Sequence, residues 1–352
     1  MELLKRTLDS IGVPDEESMR LAQRRLDSLT KPPGSLGVLE DVVRRVAGIT
    51  GREMPEYERR IIFTLAADHG VTAEGVSAFP SEVTAQMVAN FLNGGAAINV
   101  LGRHAGAKIV VVDVGIACEI PAHPDLVVKK VGMGTANMAA GPAMSREQAV
   151  RAVEAGIEVV AERTAEGLDL AGTGDMGIGN TTSSAAIVAA FTSLPVEEIA
   201  GRGTGLDDAG LERKIEVVRR ALKVNRPDPL DALDVLMKVG GFEIGAIAGV
   251  ILGCAARRVP VVIDGFISGA GALIAAGLSP RVKDFMLASH RSAERGHGVI
   301  LERLGLRPLF DLDLRLGEGT GAALAISVIV AALKIQREMA TFESAGVSSK
   351  SD

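Results

Sequence analysis

The sequence predicts an α/β fold built on a mainly parallel, six-stranded sheet with flanking helices. Three observations carry this. Six short apolar runs recur along the 352 residues. Most end at a glycine or an aspartate, and helical patterns fill the intervals between them. Strands alternating with helices imply crossover connections, and those give parallel pairing.

Taken in order, residues 1–50 read as helices interrupted by "TKPPGSLG" (30–37), where Pro32, Pro33 and Gly34 forbid continuation. The apolar runs follow at 60–68, 107–115, 168–174, 259–265, 281–289 and 309–317. Val150, Val153, Ile157, Val160 and Thr164 fall at alternating spacings of three and four, as on one face of a helix. Leu211, Ile215, Val218 and Leu222 do the same. Residues 322–339 read as a last helix that packs with the N-terminal ones. The expected division is an α/β catalytic domain over 51–321 and a small helical lobe from 1–50 plus 322–352. In such sheets ligands bind beyond the carboxyl ends of the strands, where most of the glycine clusters lie.

Composition narrows the partners. Hydrophobic residues make up 47% and aromatics 3%, with no tryptophan, so aliphatic side chains and alanine must build the core. The 41 glycines exceed the roughly 7% usual in proteins and cluster in short loops. A net charge of −6 with no basic tract argues against nucleic acid. Cys118 and Cys254 stand far apart without metal-type spacing, which fits a reducing cytoplasm. The segment "MELLKRTLDS" has no apolar core of signal-peptide length. The longest charge-free stretch, 176–196, is continuously apolar only over 185–191, so no membrane span is expected.

Two loops could hold a phosphate. In "AGTGDMGIGNTTSS" (171–184), Gly172, Gly174 and Gly177 spell G-x-G-x-x-G after a strand. The acid that a dinucleotide site places about 20 residues on, at the end of the next strand, is replaced by Glu197 and Glu198, which open a helix. No lysine follows the glycines, so a P-loop is excluded. Gly177, Gly179, Asn180, Thr181 and Thr182 could offer N–H groups and hydroxyls at a helix N-terminus; equally, they could form a tight turn with a threonine cap. In "GRGTGLDDAGLERK" (201–214), Gly201, Gly203 and Gly205 permit close backbone approach to a ligand. Lys214 borders the apolar stripe of its helix, either snorkelling to water or pointing at an anion.

His69 follows Asp68 at a strand end, and Asp113, Asp175 and Asp264 hold comparable positions. No H-x-x-x-H spacing supports a metal site, His104, His123 and His297 read as loop or surface residues, and strand-end aspartates commonly cap turns. No G-x-S-x-G elbow is present. Glu318, in "LGEGTG", is different. If the last strand kept its alternation, Phe310, Leu312, Leu314, Leu316 and Glu318 would share the apolar face. A carboxylate there would be desolvated and become a better base. The alternative is a charge that stabilises the N-terminus of the following helix.

Taken together and in order, "LTKPPGSLG" (29–37), "AADHGV" (66–71), "SEVTAQMVANFLNGGAAINVL" (81–101), "DMGIGNTTSSAA" (175–186), "GRGTGLDD" (201–208), "GGFEIGAIAG" (240–249), "VVIDGFISGAGAL" (261–273), "ASHRSAERGH" (288–297) and "LRLGEGTGAALA" (314–325) resemble the nicotinate-nucleotide–dimethylbenzimidazole phosphoribosyltransferases of cobalamin lower-ligand synthesis. The resemblance runs over nearly the whole chain. It implies a Rossmann-like sheet with a small helical lobe, a homodimer, and transfer of phosphoribose from nicotinate mononucleotide to 5,6-dimethylbenzimidazole. It makes Glu318 the proton acceptor and places the phosphate on Gly177, Gly179, Asn180, Thr181, Thr182, Gly203 and Lys214. It assigns the base pocket to Ser81, Gln86, Met87, Ser292, Leu316 and Gly317. The family often has Glu just before M-G-I-G-N where this chain has Asp175, so an acid that holds ribose hydroxyls there would reach with a shorter arm or through water.

The implied chemistry is economical in protein groups. The pyridinium of nicotinate mononucleotide departs as a neutral ring and needs no general acid. The attacking benzimidazole becomes cationic, so one base is enough. "VVIDGFISG" carries one acid rather than the paired acids of transferases that use phosphoribosyl pyrophosphate, so neither metal nor other cofactor is expected. Two rivals remain: a nicotinamide-dependent oxidoreductase and a non-catalytic nucleotide sensor.

Overall fold

The computed structural model describes residues 1–203 and 205–348, so Thr204 of the "GRGTG" loop and the last four residues of the expected lobe lie outside the described residues. Six strands form one parallel sheet: β1 (Arg60–Ala67), β2 (Ala107–Gly115), β3 (Leu126–Val128), β4 (Leu170–Met176), β5 (Val261–Ile263) and β6 (Met286–Ala288). Their spatial order is β3-β2-β1-β4-β5-β6. The chain therefore builds outward from β1 in one direction, then returns to β1's other edge with β4. That reversal is where a parallel α/β sheet opens a crevice at its carboxyl ends.

Seven of the eight β1 residues are buried because helices cover both faces. Phe63 and Leu65 join the core that contains Val153 and Ile157 of helix Arg146–Ala165 and Ile247 and Ile251 of helix Phe242–Ala256. Ile62 and Ala66 point the other way, toward Val46 of Val38–Thr50 and Ile326 and Ile329 of Thr320–Glu338. Alternation of period two thus feeds two cores. Each fully buried aliphatic side chain contributes about 1.5–3 kcal/mol.

Of the segments expected to form a separate lobe, Glu2–Ser10 packs on Arg146–Ala165 and Phe242–Ala256. Glu16–Ser28, Val38–Thr50 and Thr320–Glu338 pack together over the opposite face, where Thr320–Glu338 also lies against β4 and β5. Among the described residues, Thr320–Glu338 is the one helix long and apolar enough to cross a membrane by length and composition; 61% of that window is buried inside the protein. Cys118 is exposed and Cys254 buried, and neither is bonded to the other.

The sixth strand is not the one the sequence suggested. β3, only three residues long, takes the outer edge beside β2. From 309–317 only β8 (Phe310–Asp311) is strand, and it pairs with β7 (His290–Arg291) in a separate two-stranded sheet. Asp313 adopts φ +54°, which breaks the extended run. Leu312 and Leu316 are 57% and 58% exposed, so the proposed apolar face does not form.

Candidate active site

The carboxyl ends of β4 and β5 open on a cavity of about 300 Å³, a size suited to a small molecule. Three turns leading into helices build it. β4 runs into Gly177, Ile178 and Gly179 before helix Asn180–Thr192. β5 runs through Asp264 into helix Phe266–Leu278. Gly317, Glu318 and Gly319 lead into Thr320–Glu338.

Glu318 is buried, 5% exposed, yet it lines the cavity. Its burial comes from tertiary packing and not from strand alternation. Thr64 of β1 donates its hydroxyl to the Glu318 carbonyl at 3.0 Å. A β-carbon on Gly174 of β4 would lie 2.2 Å from that same carbonyl oxygen, so the close approach depends on glycine. Glu318 itself has φ +63°, a left-handed conformation that a side chain adopts at a cost. Asp264 accepts from the N–H groups of Ala322 at 2.9 Å and Gly319 at 3.3 Å, clamping the far side of the loop. The N-terminus of the following helix is thus served by Asp264. The Glu318 carboxylate instead accepts from Ile98 N at 3.3 Å, in the first turn of helix Ala97–Ala105.

The acids beside it are strongly perturbed. Burial pushes the Glu318 carboxyl above its ordinary value, with the Ile98 N–H opposing. Burial pushes Asp264 up to about 7 against the pull of its backbone donors. Asp175 is raised well above its ordinary value by burial, then by the charges of Asp264 and Glu243. Asn180 donates to Asp175 Oδ2 at 3.0 Å, while Oδ1 is buried without a partner among the described residues.

At the other end lies a lysine. Lys214 is 1% exposed, so it does not snorkel. Its ammonium donates to Thr181 Oγ1 at 2.7 Å and to the Gly201 carbonyl at 3.2 Å. Burial lowers it to about 8, and Glu294 opposes that shift. Gly177, Gly179, Asn180, Thr181, Gly203 and Lys214 all border a small adjoining recess. Ile178 N donates to Thr84 Oγ1 at 3.1 Å, tying this turn to helix Glu82–Leu92.

The structure does not bring every expected residue to the cavity. Thr182 is fully buried in its helix and lies behind the turn. Gln86 is exposed and outside the cavity wall, and Ser81 instead shares a 2.9 Å hydrogen bond with Thr72. Met87, Ser292, Leu316 and Gly317 do line it. So do Phe79, Val83, His290, Glu294 and Arg315, which carried no local signal in the sequence. His297 is buried rather than on the surface, and burial drives its imidazole down to about 3. His69 is buried too, with Nε2 2.6 Å from Glu243 Oε1 and Nδ1 3.1 Å from Ser183 Oγ. Asp68 and Asp113 accept backbone N–H groups at turns. Among the described residues, no group of three or more His, Cys, Asp or Glu side chains is arranged to hold a metal ion.

A doubly covered parallel sheet whose switch-point turns set a buried lysine opposite a buried carboxylate has the layout of a transferase acting on a phosphorylated sugar. A family model described as a phosphoribosyltransferase matches residues 11–347. A nicotinate-nucleotide–dimethylbenzimidazole phosphoribosyltransferase from Chloroflexus aggregans is 59% identical over 352 residues, covering all of both chains. One from Desulforudis audaxviator is 60% identical over 348 residues, 99% of each. A crystal structure of the enzyme of that name from Thermus thermophilus superposes with a TM-score of 0.90 at 50% identity, covering 96% of this chain and 100% of that one. The chain belongs to the nicotinate-nucleotide–dimethylbenzimidazole phosphoribosyltransferase family.

Proposed function

We propose that the protein moves 5-phosphoribose from nicotinate mononucleotide to 5,6-dimethylbenzimidazole, giving α-ribazole 5′-phosphate and nicotinate in cobalamin assembly. The reading makes Glu318 the single general base and inverts C1′. One observation carries it: a buried carboxylate paired with one backbone N–H shares a cavity with a turn that a buried lysine holds. The 5′-phosphate sits at Gly177–Thr181, attracted by the helix N-terminus and the Lys214 ammonium. Binding energy there positions C1′, far from the phosphate, for in-line attack.

The nicotinate ring leaves neutral as the benzimidazole nitrogen bonds to C1′. Glu318 accepts the proton from the other ring nitrogen and meanwhile stabilises the developing cation. Phe79, Val83 and Met87 supply an apolar wall for a flat base. Asp175 presents its unpartnered oxygen to the ribose. The enzyme works in the cytoplasm as a homodimer on small molecules alone, with no metal or other cofactor. The test is release of nicotinate from nicotinate mononucleotide, with and without 5,6-dimethylbenzimidazole and with and without a chelator. Release that depends on the benzimidazole and ignores the chelator is expected. Binding without release would make the protein a nucleotide sensor.

A further inference from the structure

Glu294 lies on the cavity wall, is 7% exposed, and has no hydrogen-bond partner for its Oε2 among the described residues. It precedes helix Arg295–Leu304 but does not cap it with its side chain. Its backbone N–H is engaged by Ser292 Oγ at 3.3 Å, which helps fix the residue while Oε2 stays without a hydrogen-bond partner. The neighbouring loop is shaped around it: a β-carbon on Gly201 would lie 2.0 Å from Oε2. Gly203, on the same loop, would put a β-carbon 3.3 Å from Lys214 Nζ. Gly201 and Gly203 therefore sit against a buried acid and a buried lysine, without a side chain where each group presses on them.

A buried carboxylate without a donor is costly, and its position limits what could satisfy it. The phosphate end already has Lys214 and the helix N-terminus, and an acid there repels phosphate. The ring end has Glu318. Between them lies the sugar, whose hydroxyls are donors. We propose that Glu294 accepts a hydrogen bond from a ribose hydroxyl of the nucleotide and makes the site select ribose over deoxyribose. This rests on the phosphoribosyl-transfer reading above.

The test compares nicotinate mononucleotide with its 2′-deoxy and 3′-deoxy analogues in wild type, Glu294→Gln and Glu294→Met. One charge-assisted hydrogen bond predicts that wild type disfavours at least one analogue by about 10- to 100-fold in kcat/KM. Glu294→Met should lower kcat/KM for the natural nucleotide by that factor while leaving the disfavoured analogue at its wild-type rate. Glu294→Gln, which keeps an acceptor, should fall between. Equal losses on ribose and deoxyribose substrates would make Glu294 a support for Lys214 or the loop and overturn the proposal, as would a wild type that does not discriminate. If wild type releases no nicotinate at all, the transfer reading fails separately, and calorimetric affinities for the same three nucleotides read the same ratio.

Discussion

Glu318→Gln separates the chemistry of this carboxylate from its place in the fold. Glutamine has the same shape and its carbonyl can still accept from Ile98 N, now 3.3 Å from Oε2. The backbone around it stays pinned by Thr64, Gly174 and Asp264, so the loop has no reason to move. What is lost is the proposed base. Removing a general base costs a factor of about 10²–10⁴, which at about 1.36 kcal/mol per decade is roughly 3–5 kcal/mol of barrier. Stability should change the opposite way. The Glu318 carboxyl is raised above its reference of 4.5 by burial. Protonated, it costs the fold little; as pH rises past the unfolded-state value through the raised one, ionisation withdraws stability. The neutral amide escapes that penalty, so Glu318→Gln should melt higher than wild type near neutrality and match it more closely in acid. Nicotinate release would be followed by chromatography from pH 5 to 8, with thermal melts alongside. The acid limb of the wild-type profile should vanish in the variant. Turnover within tenfold of wild type, or an unchanged acid limb, would refute the assignment of Glu318 as the base.

Two further outcomes follow from the same geometry. Lys214→Met should raise KM for the nucleotide far more than it lowers kcat; in wild type, nucleotide affinity should weaken as pH passes about 8, where the buried ammonium loses its proton, and titration calorimetry across that range checks both. Gly174→Ala places a β-carbon 2.2 Å from the Glu318 carbonyl oxygen, so the loop must move by about an ångström and kcat should drop on the order of 10²-fold with the nucleotide still bound, which kcat and KM measured separately would show.

Local chemistry decides what could be read from the sequence. The turns after β4 and before Thr320–Glu338 were legible because glycines, a carboxylate and hydroxyl residues stand close together just ahead of an apolar helical run. Lys214 was legible as a position but not as a buried one, since the stripe it borders does not reveal what covers it. The burial of Glu318 was expected for the wrong reason: the alternation over 309–317 ends at Asp313, and packing on Gly174 and Thr64 replaces it. Phe79, Glu294 and Arg315 reach the cavity from separate loops, a meeting that only the tertiary fold arranges. β3 has only three residues, none of them buried, and no periodicity to find.

The charges of the site suit the proposed reaction at every stage. Nicotinate mononucleotide carries a pyridinium at C1′ and a phosphate at C5′, and in the proposed pose the protein would face it with the opposite dipole. Asp175, Asp264 and Glu318 gather at one end and Lys214 stands at the other. Burial raises Asp175 and Asp264 first, and neighbouring acids add to it, Asp264 acting on Asp175 and Glu318 on Asp264, so a pyridinium bound here would supply a counter-cation that the cluster lacks. In the proposed reaction that positive charge leaves one ring and appears on the other as the bond to C1′ is exchanged. The acid end therefore faces a cation before and after the bond exchange and needs little reorganisation, which is the condition for electrostatic stabilisation to lower a barrier. In that reaction only the last step changes the balance, when Glu318 takes the proton and the now neutral base loses its hold on the cluster.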